Sequence, residues 1–427
     1  MPRFLHIADI HLGFDRYDCR DRTLDFFYAL QDVLERYAIA PAVDFVLIAG
    51  DLFEHRNIQP GVLNQAQLCL QHLQAAQIPV LAIEGNHDNR PYGTKTSWLR
   101  YLADWDLLIL LEPGDTQGGE ALYQPWNPDR KSGGYIDLPC GVRVLGSQWY
   151  GASAPKAIAQ LATAIQELPP GPPHQILMFH HGLEGQIARY QGALRYRDFL
   201  PLKRAGIDYL ALGHIHKHYT LESWIFNPGS LEANNIEEGD YLRGAYLVEI
   251  TAEGVVATLK QDYYQRPIVR LELKTQGHES VEEIYQGAIA QIQAARASGQ
   301  LNSPLAPIVA LRIKGSVGFD PLDLNTKDLQ RHLQDLSGAL IFRLQYEVTA
   351  IQFQTPVDET ATPTDLEREV FKDLLAAHGS YKHRMEPLAQ GLMDLKGLQL
   401  ENRPEADLYK FVRQLFTAPL TVEVPNL

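Results

Sequence analysis

The sequence has few cysteines and no long apolar run, and each shortage excludes a class of protein. Its 3 cysteines, Cys19, Cys69 and Cys140, form no CxxC pair, so neither a disulfide framework nor a thiolate zinc site is indicated. No stretch reaches the roughly 18 apolar residues that span a bilayer. The N-terminus also lacks the apolar segment and cleavage site of a signal peptide. We therefore expect a protein of a reducing cytoplasm that does not enter a membrane.

An excess of positive charge is also missing. The chain has 38 Lys and Arg against 52 Asp and Glu, which gives a formal net charge of −14. This balance argues against nucleic-acid binding by the whole surface, because phosphates require local positive potential, but it permits a local basic patch. With 45% hydrophobic residues the composition is that of a globular protein, and 427 residues exceed the size of one growing core. Two or three domains are expected.

Short apolar runs alternate with helical patterns over about the first 250 residues, which is typical of a layered α/β domain. One helical pattern, "NQAQLCLQHLQAAQ", would pack Leu68, Leu70 and Leu73 on the sheet. Polar residues follow nearly all of the apolar runs, and ligands of open α/β sheets bind outside the carboxyl ends of strands. The runs that predict strands are "RFLHIAD", "VDFVLIAGD", "IPVLAIEGN", "VRVLGSQW", "HQILMFHHG" and "IDYLALGH".

The pattern changes near Tyr264. "PIVRLELK", "PIVALRIKG" and "ALIFRLQYEV" predict strands, "TKDLQRHLQDL" predicts a short helix, and Ser280 with Glu283 forms a capping box before a longer helix. After a linker, "TPVDETATP", a second capping box of Thr364 and Glu367 opens a helical region that closes with "EADLYKFVRQLF". The apolar stripe of this region is Leu366, Val370, Leu374 and Leu375.

We therefore divide the chain into three parts. Residues 1–263 form the α/β domain, residues 264–354 a small α+β domain, and residues 355–427 a linker with a helical segment.

Five polar clusters follow the predicted strands: "ADIHLG", "AGDLF", "EGNHD", "MFHHG" and "LGHIHK". Residues two apart along a strand point to the same side, so Asp9 with His11, and likewise His214 with His216, can direct two ligands to one place. Carboxylate, imidazole and amide oxygen without thiolate suit Mn²⁺, Fe²⁺ or Zn²⁺. The candidate ligands are Asp9, His11, Asp51, Asn86, His180, His214 and His216.

These ligands are too many for one ion with an open position, but they suit two ions bridged by a carboxylate. Two metals about 3.5–4 Å apart can activate water and stabilise the entering and leaving oxygens of a phosphoryl displacement. Any one cluster alone is also typical of a turn or of a buried core histidine. Five clusters in this order favour a binuclear metal site and metal-assisted phosphoester hydrolysis.

The order D-x-H, G-D, G-N-H-D, H and G-H-x-H resembles the calcineurin-like metallophosphoesterase superfamily. Longer segments, "HIADIHLGFDRY", "DFVLIAGDLFEHRNIQPG" and "NPGSLE" among them, are similar to the nuclease subunit of the SbcC–SbcD DNA-end-processing complex, and "LEREVFKDLL" to its bacterial DNA repair exonuclease branch. The motif similarity covers roughly residues 1 to 250. The resemblance implies an α/β fold: a four-layer metallophosphoesterase β-sandwich flanked by helices, plus a small α+β capping domain and a helical C-terminal segment.

The resemblance also implies roles for the matching residues. His87 would bind no metal and would act as general acid at the leaving group, with Asp88 orienting its ring. His180, rather than His181, matches the ligand position. Two divalent ions are implied, with Mn²⁺ expected. One metal would be held by Asp9, His11 and His216, the other by Asn86, His180 and His214, and Asp51 would bridge the two.

One position departs from the family. Some members place a phosphate-contacting histidine directly after "GDLF", where this sequence has Glu54, with His55 next. His55 would either substitute for that histidine or lie in a loop without a role in catalysis, and we leave it out of the catalytic residues.

The resemblance further implies partners. The small domain would contact DNA, although its cations fit a solvated charged face equally well. The C-terminal helices would bind an SbcC-like ABC-type ATPase or dock on the chain itself. A homodimer would form through helices near residues 60–76 and 94–104. The cations are Arg266, Arg270, Lys274, Arg312 and Lys314.

Three functions stay open at this stage. The expected one is a DNA exonuclease and endonuclease that acts with an ATPase partner in double-strand-break repair. A phosphoesterase of small phosphodiesters, nucleotides or phosphoproteins would use the same metals, because substrate choice lies in loops and added domains. The third is a scaffold that tethers an ATPase to DNA with negligible turnover, and the intact His87 argues against it.

Overall fold

The computed structural model of the chain describes residues 1–114, 119, 121–187, 192–350, 362–376, 381, 384–401 and 403–417. The chain divides into two compact units, Met1–Pro267 and Ile268–Leu427. Most of the predicted linker lies outside the described residues, so the division at residue 354 stays a prediction.

The first unit alternates strands and helices, and the six strands expected from the sequence are present in it. Its strands are β1 (Arg3–Ile7), β2 (Phe45–Ala49), β3 (Val80–Ile83), β4 (Ile109–Leu110), β5 (Tyr135–Leu138), β6 (Val142–Leu145), β7 (His174–His180), β8 (Tyr209–Gly213), β9 (Tyr219–Leu221), β10 (Ile225–Asn227), β11 (Ala245–Thr251) and β12 (Gly254–Lys260). Its helices are α1 (Arg20–Leu34), α2 (Pro60–Ala75), α3 (Trp98–Asp104), α4 (Ala154–Gln166) and α5 (Tyr196–Arg204).

The described strands of this unit form two six-stranded sheets. The first has the order β12-β11-β1-β2-β3-β4, and β1 to β4 run parallel, with Leu5 beside Val46 and Leu47 beside Leu81. The second has the order β5-β6-β7-β8-β10-β9, and β6, β7, β8 and β10 run parallel. Parallel strands bring their carboxyl ends to one edge of a sheet. The residues after β1, β2 and β3 therefore share one edge, and those after β7 and β8 share another.

The two sheets pack face to face between layers of helices. Phe4 and Phe45 of the first sheet share a core with Met178 and Tyr209 of the second, and the rings of Phe4 and Phe45 stack at 4.8 Å. The outer face of the first sheet packs against α1, α2 and α3, and that of the second against α4 and α5. Both faces of the central strands are thus covered, which explains continuous apolar runs such as "FVLIA". The four-layer architecture is confirmed.

Helix α2 differs from the expectation at one residue. Leu70 and Leu73 are buried, as predicted, but Leu68 is 41% exposed. The buried residues Ala66, Leu70 and Leu73 follow the spacing i, i+4 and i+7 of a single helical face, whereas Leu68 lies about 200° around the helix from Leu70.

The second unit begins with a parallel three-stranded sheet in the order β13-β14-β15. Ser280 and Glu283 cap its first helix reciprocally, which confirms the predicted capping box. Its strands are β13 (Ile268–Gln276), β14 (Ile308–Val317) and β15 (Ile341–Ala350), and its helices are α6 (Val281–Ala297) and α7 (Thr326–Ser337). Both helices share one core with the same face of the sheet.

The opposite face of this small sheet is charged. Side chains alternate along a strand, so Val269 and Leu271 pack in the core whereas Arg270 and Glu272 are exposed. Lys314 Nζ lies 2.6 Å from Glu272 of the neighbouring strand, and Arg312 pairs with Glu347. Lys274 also pairs with Glu272, so Lys274, Arg312 and Lys314, three of the cations expected to contact phosphates, are ion-paired here.

Arg266 belongs instead to the first unit, where its guanidinium binds the buried Asp25 at 2.6 Å. It is 8% exposed, so the expectation that it contacts phosphate is wrong.

Three helices follow in the second unit: α8 (Pro363–Ala376), α9 (Met385–Leu400) and α10 (Glu405–Thr417). The predicted capping box at Thr364 and Glu367 is wrong by two residues. Thr362 Oγ1 accepts from the Asp365 N–H at 3.2 Å, and the Asp365 carboxylate accepts from the Thr362 N–H at 3.2 Å. Pro363 takes the first helical position, where its missing N–H leaves no intrahelical bond unmade.

The apolar stripe of α8 is only partly buried. Leu375 is 8% exposed and shares a small core with Leu388 of α9, whereas Val370 is 55% and Leu374 64% exposed. Among the described residues, no helix is both long enough and apolar enough to cross a membrane.

Candidate metal centre

Several candidate ligands have a left-handed backbone. The φ angle is 53° at Asp9, 54° at His11, 55° at Asp51 and 85° at His214. Such conformations cost roughly 1–3 kcal/mol in residues other than glycine, and they cluster at functional sites. Asp9 and His11 lie beyond the end of β1, so this turn directs both side chains to one place. The expected mechanism, alternation along a continuing strand, is corrected.

A first cluster brings together Asp9, His11 and His216, whose ligand atoms all lie within 4.8 Å of one another. His11 Nε2 is 3.1 Å from His216 Nε2. The Asp9 carboxylate accepts from the His214 backbone N–H through both oxygens, at 2.8 and 2.9 Å. Asp9 and His11 are buried, and two facing imidazole nitrogens beside a buried carboxylate form a binding site for a cation.

Two carboxylates stand behind the imidazoles of this cluster. His11 Nδ1 lies 2.8 Å from Glu54 Oε2, and His216 Nδ1 lies 3.1 Å from Glu238 Oε1. Burial lowers the pKa of His216, but the hydrogen bond and charge of Glu238 outweigh it and raise that pKa to about 9. A carboxylate in this position fixes the ring and its tautomer, so Nε2 of each ring faces the common point.

A second cluster brings together Asp51, Asn86, His180 and His214. The ligand atoms of Asp51, His180 and His214 lie within 4.8 Å of one another. Asn86 Oδ1 is 2.8 Å from His214 Nδ1 and 3.2 Å from His180 Nε2. His180 Nε2 is also 3.1 Å from Asp51 Oδ2. Each candidate ligand is thus in one of the two clusters.

A carbonyl and an aromatic ring support the imidazoles of the second cluster. His180 Nδ1 donates to the Ala49 carbonyl at 2.8 Å. The Trp149 ring lies 4.9 Å from the His214 ring and 5.8 Å from the His180 ring. Burial lowers the pKa of His180, but the charge and hydrogen bond of Asp51 raise it to about 9. Burial, together with the charge of His180, lowers the pKa of His214 to about 3.

Two glycines let the ligands approach one another. A Cβ atom at Gly85 would lie 2.1 Å from Asp51 Oδ1, and one at Gly50 would lie 2.4 Å from His180 Nδ1. Gly50 also has a φ of 92°, which favours glycine. The glycines of "GD" and "GN" are therefore required by close approach.

His87 lies beside the first cluster. Its Nδ1 donates to the Glu54 carbonyl at 2.6 Å, its backbone N–H donates to Asp51 Oδ1 at 2.8 Å, and its ring lies 5.0 Å from the His11 ring. Because Nδ1 is engaged, Nε2 is the nitrogen that can exchange a proton with a substrate.

Asp88 does not orient the His87 ring, and that expectation is wrong. Its carboxylate accepts three backbone N–H groups, from Gly85 at 3.0 Å, Leu52 at 3.2 Å and Phe53 at 3.1 Å. Burial, with the charge of Asp51, raises the pKa of Asp88 to about 7 against the effect of these N–H groups. Asp88 therefore ties the loop after β2 to the loop after β3.

Two neighbouring histidines point elsewhere. His181 has its ring nitrogens 3.2 Å from the Gly182 carbonyl and 3.3 Å from the Gly151 carbonyl. His55 Nε2 lies 3.0 Å from Asp15 Oδ1, with about half of its side chain exposed.

Sequence reasoning missed several supporting residues. Glu238 and Trp149 lie far along the chain from the rings they support, so no local pattern marks them. Asn227, the first residue of "NPGSLE", donates to the carbonyls of Ile215 at 2.7 Å and Lys217 at 3.0 Å and so holds the turn that carries His216. In the sequence, the segment is marked only by its similarity to the family.

The donor set fits divalent metal ions. Buried carboxylates, an amide oxygen and imidazoles, each with one nitrogen directed inward, are ligands of Mn²⁺, Fe²⁺ and Zn²⁺. The outward nitrogens of His180 and His216 are hydrogen-bonded, as expected for metal-ligating histidines.

Comparison with known proteins is consistent with this centre. Residues 2–218 match the family described as calcineurin-like phosphoesterase. The chain is 26% identical over 257 residues to DNA double-strand break repair protein Mre11 of Methanosarcina mazei, covering 59% of this chain and 37% of that protein. It is 27% identical over 286 residues to the Mre11 protein of Saccharolobus solfataricus, covering 64% and 67%. It is 29% identical over 263 residues to the uncharacterized metallophosphoesterase YhaO of Bacillus subtilis, covering 58% and 57%. The matches thus span between 37% and 67% of these relatives.

Proposed function

The chain belongs to the calcineurin-like phosphoesterase family, which matches residues 2–218, and on this premise we propose that it is a metal-dependent nuclease that hydrolyses phosphodiester bonds in DNA. The observation that carries the proposal is the pair of clusters formed by the seven predicted ligands, with His87 beside them in a third group that contains His11 and Glu54. Similarity to proteins named for DNA double-strand break repair supports DNA as the substrate.

In this proposal the two clusters hold two divalent ions, with Mn²⁺ the expected metal. Metals in such sites polarise a phosphoryl group and lower the pKa of water. Asp51 would serve both ions: its carboxylate contacts His180 of the second cluster, and its backbone carbonyl accepts the backbone N–H of His11, which places Asp51 next to the first cluster. Asp9, His11 and His216 would hold one ion, and Asn86, His180 and His214 would hold the other.

His87 acts as the general acid. The Glu54 carbonyl accepts the Nδ1–H, so the imidazolium donates its Nε2 proton to the leaving oxygen and keeps Nδ1 protonated afterwards. A positioned acid of this kind contributes about 10²–10⁴-fold to a rate. Asp88 takes no part in the proton transfer and acts by holding the backbone of the loop.

We assign DNA contact to the charged face of the small sheet. This face carries five cations against two acids, Glu272 and Glu347, so it is positive although the whole chain has a net charge of −14. Phosphates could take the place of these acids as partners of the lysines and arginines. The cations are Arg270, Lys274, Arg312, Lys314 and Arg343.

Two further assignments follow from exposed apolar side chains. Val370 and Leu374 of α8 and Tyr409 of α10, which is 68% exposed, form the proposed contact with an SbcC-like ABC-type ATPase. Leu68 lies on α2, and Trp105, 63% exposed, is the residue that follows α3; these are the two helices expected to form a homodimer.

The test is a nuclease assay on end-labelled duplex and hairpin DNA with Mn²⁺, Mg²⁺ or Zn²⁺. We expect cleavage of DNA with Mn²⁺, and a loss of about 10²–10⁴-fold in His87→Ser without loss of bound metal. Intact DNA alongside hydrolysis of a small phosphodiester would replace the nuclease with a small-substrate phosphoesterase. Intact DNA and intact small esters with two bound ions would favour a scaffold. Full activity of His87→Ser would overturn the assignment of the general acid.

A further inference from the structure

Glu54 contacts two histidines of different function, one through its side chain and one through its main chain. We propose that Glu54 is a positioning residue that sets the metal-ligand ring of His11 and the general-acid ring of His87 together. The inference rests on the proposed function, because that proposal assigns His87 to catalysis. It adds a role for a residue that stands where some family members carry histidine.

The side chain of Glu54 acts on His11. Its Oε2 lies 2.8 Å from His11 Nδ1, with the two side chains 12% and 1% exposed. The two atoms are in close charge contact but are not aligned as a hydrogen bond. A carboxylate this close favours a proton on Nδ1 over a lone pair, which leaves the Nε2 lone pair available. That Nε2 is the atom 3.1 Å from His216 Nε2. Glu54 thus selects the tautomer of His11 that can bind a metal.

The main chain of Glu54 acts on His87. The loop after β1 pairs with the loop after β2, where the Leu12 N–H donates to the Leu52 carbonyl at 2.9 Å and the Glu54 N–H donates to the Leu12 carbonyl at 3.0 Å. With its N–H fixed in this way, the Glu54 carbonyl accepts from His87 Nδ1 at 2.6 Å. The position of the acid is therefore set by backbone that is itself attached to the segment carrying His11.

Because the side chain of Glu54 acts on His11 and its main chain acts on His87, we predict that metal binding and proton transfer can be changed separately. Removing the side chain of Glu54 releases the His11 ring but leaves the carbonyl that holds His87. Metal binding should therefore change more than the proton-transfer step. A merely structural residue would instead alter thermal stability, or alter both functions equally.

The first experiment compares Glu54→Ala and Glu54→Gln with Glu253→Gln, an exposed glutamate between β11 and β12. Mn²⁺ is titrated into each metal-free protein by calorimetry and by electron paramagnetic resonance. We expect Glu54→Ala to weaken the binding of one ion by about 10–100-fold, Glu54→Gln to weaken it less, and Glu253→Gln to match the wild type. Thermal melting of the metal-free proteins checks that each variant folds.

Activity gives the second measurement. In Glu54→Ala the Mn²⁺ concentration for half-maximal cleavage should rise by about 10–100-fold, while kcat at saturating Mn²⁺ should fall by a smaller factor. Unchanged affinity for both ions would overturn the proposal. Loss of one ion from the stoichiometry would also overturn it, because Glu54 would then be a ligand. The metal titration needs no DNA, so it decides the role of Glu54 even if the wild type fails to cleave DNA.

Nitrogen NMR of the imidazole rings tests the main-chain contact. We expect His87 to carry its proton on Nδ1 when neutral, in the wild type and in Glu54→Ala alike, because both variants keep the carbonyl. A neutral His87 protonated on Nε2 in the wild type would overturn this half of the proposal.

Discussion

The two halves of the metal centre use similar ligands but different supports. In the first, the carboxylates of Glu54 and Glu238 stand behind His11 and His216. In the second, the Ala49 carbonyl stands behind His180, and the Trp149 ring packs against His214. A carboxylate behind an imidazole raises its basicity more than a neutral group does. The first half should therefore bind its ion more tightly, although both halves present imidazole nitrogens and a carboxylate.

Removing a ligand from only one half of the metal centre should have the largest effect on hydrolysis. His180→Gln removes a ligand of the second cluster only, so we expect loss of one ion, retention of the other, and no detectable hydrolysis, because in-line displacement uses both metals. The adjacent His181→Gln is the matched control, since the His181 ring nitrogens lie near the carbonyls of Gly151 and Gly182 and face neither ligand cluster, although its ring stacks on Trp149 at 5.5 Å. Metal analysis of the two variants checks the prediction. Equal metal loss in both would contradict the division into halves.

A smaller disturbance of the second half comes from Gly85→Ala. The new Cβ would lie 2.1 Å from Asp51 Oδ1 and 2.6 Å from the Asp51 backbone nitrogen, so Asp51 must move, and its contact with His180 would be disturbed. We expect weaker binding of the second ion and a lower kcat. Gly61→Ala is the control, because nothing lies within 4 Å of its Cβ and alanine favours the helix by up to about 1 kcal/mol. Equal Mn²⁺ affinities in the two variants would show that Asp51 tolerates the methyl group.

The smallest effect is expected when the carboxylate behind His216 is replaced by a neutral acceptor, as in the second half of the metal centre. Glu238→Gln keeps a hydrogen-bond acceptor behind His216 but removes the charge, and we expect affinity for the first ion to fall by about 10–100-fold. The second ion should be held as before. Competition titrations with Mn²⁺ that give wild-type values for both ions would mean that the difference in supports has no energetic consequence.

The sequence predicts the layers and the ligands better than it predicts how the ligands are held. Buried parallel strands are visible as apolar runs, and Asp9, Asp51 and His214 are visible because they follow such runs. The left-handed turns at these residues are not visible, because they depend on hydrogen bonds such as that from the Asp9 N–H to the Gly50 carbonyl.

Residues that act through the backbone were misjudged for a similar reason. Asp88 is adjacent to His87, and proximity in sequence suggested a contact between side chains. The carboxylate instead meets N–H groups of a loop more than thirty residues away, which only the packing of β2 beside β3 brings near. The expected cap at Thr364 failed because Thr362 and Asp365 offer the same reciprocal pattern with a proline between them.

The ligand clusters each draw residues from both sheets. Asp9, His11, Asp51 and Asn86 follow strands of the first sheet, whereas His180, His214 and His216 end or follow strands of the second. Ions bound there would link the two sheets of the sandwich, because each ion would be held by residues of both. Because an unfolded chain cannot assemble these ligands, each ion would stabilise the folded unit by RT ln(1 + [L]/Kd), about 2.7 kcal/mol at a hundredfold excess over Kd. The resistance of the sandwich to heat would then depend on the metal supply of its surroundings.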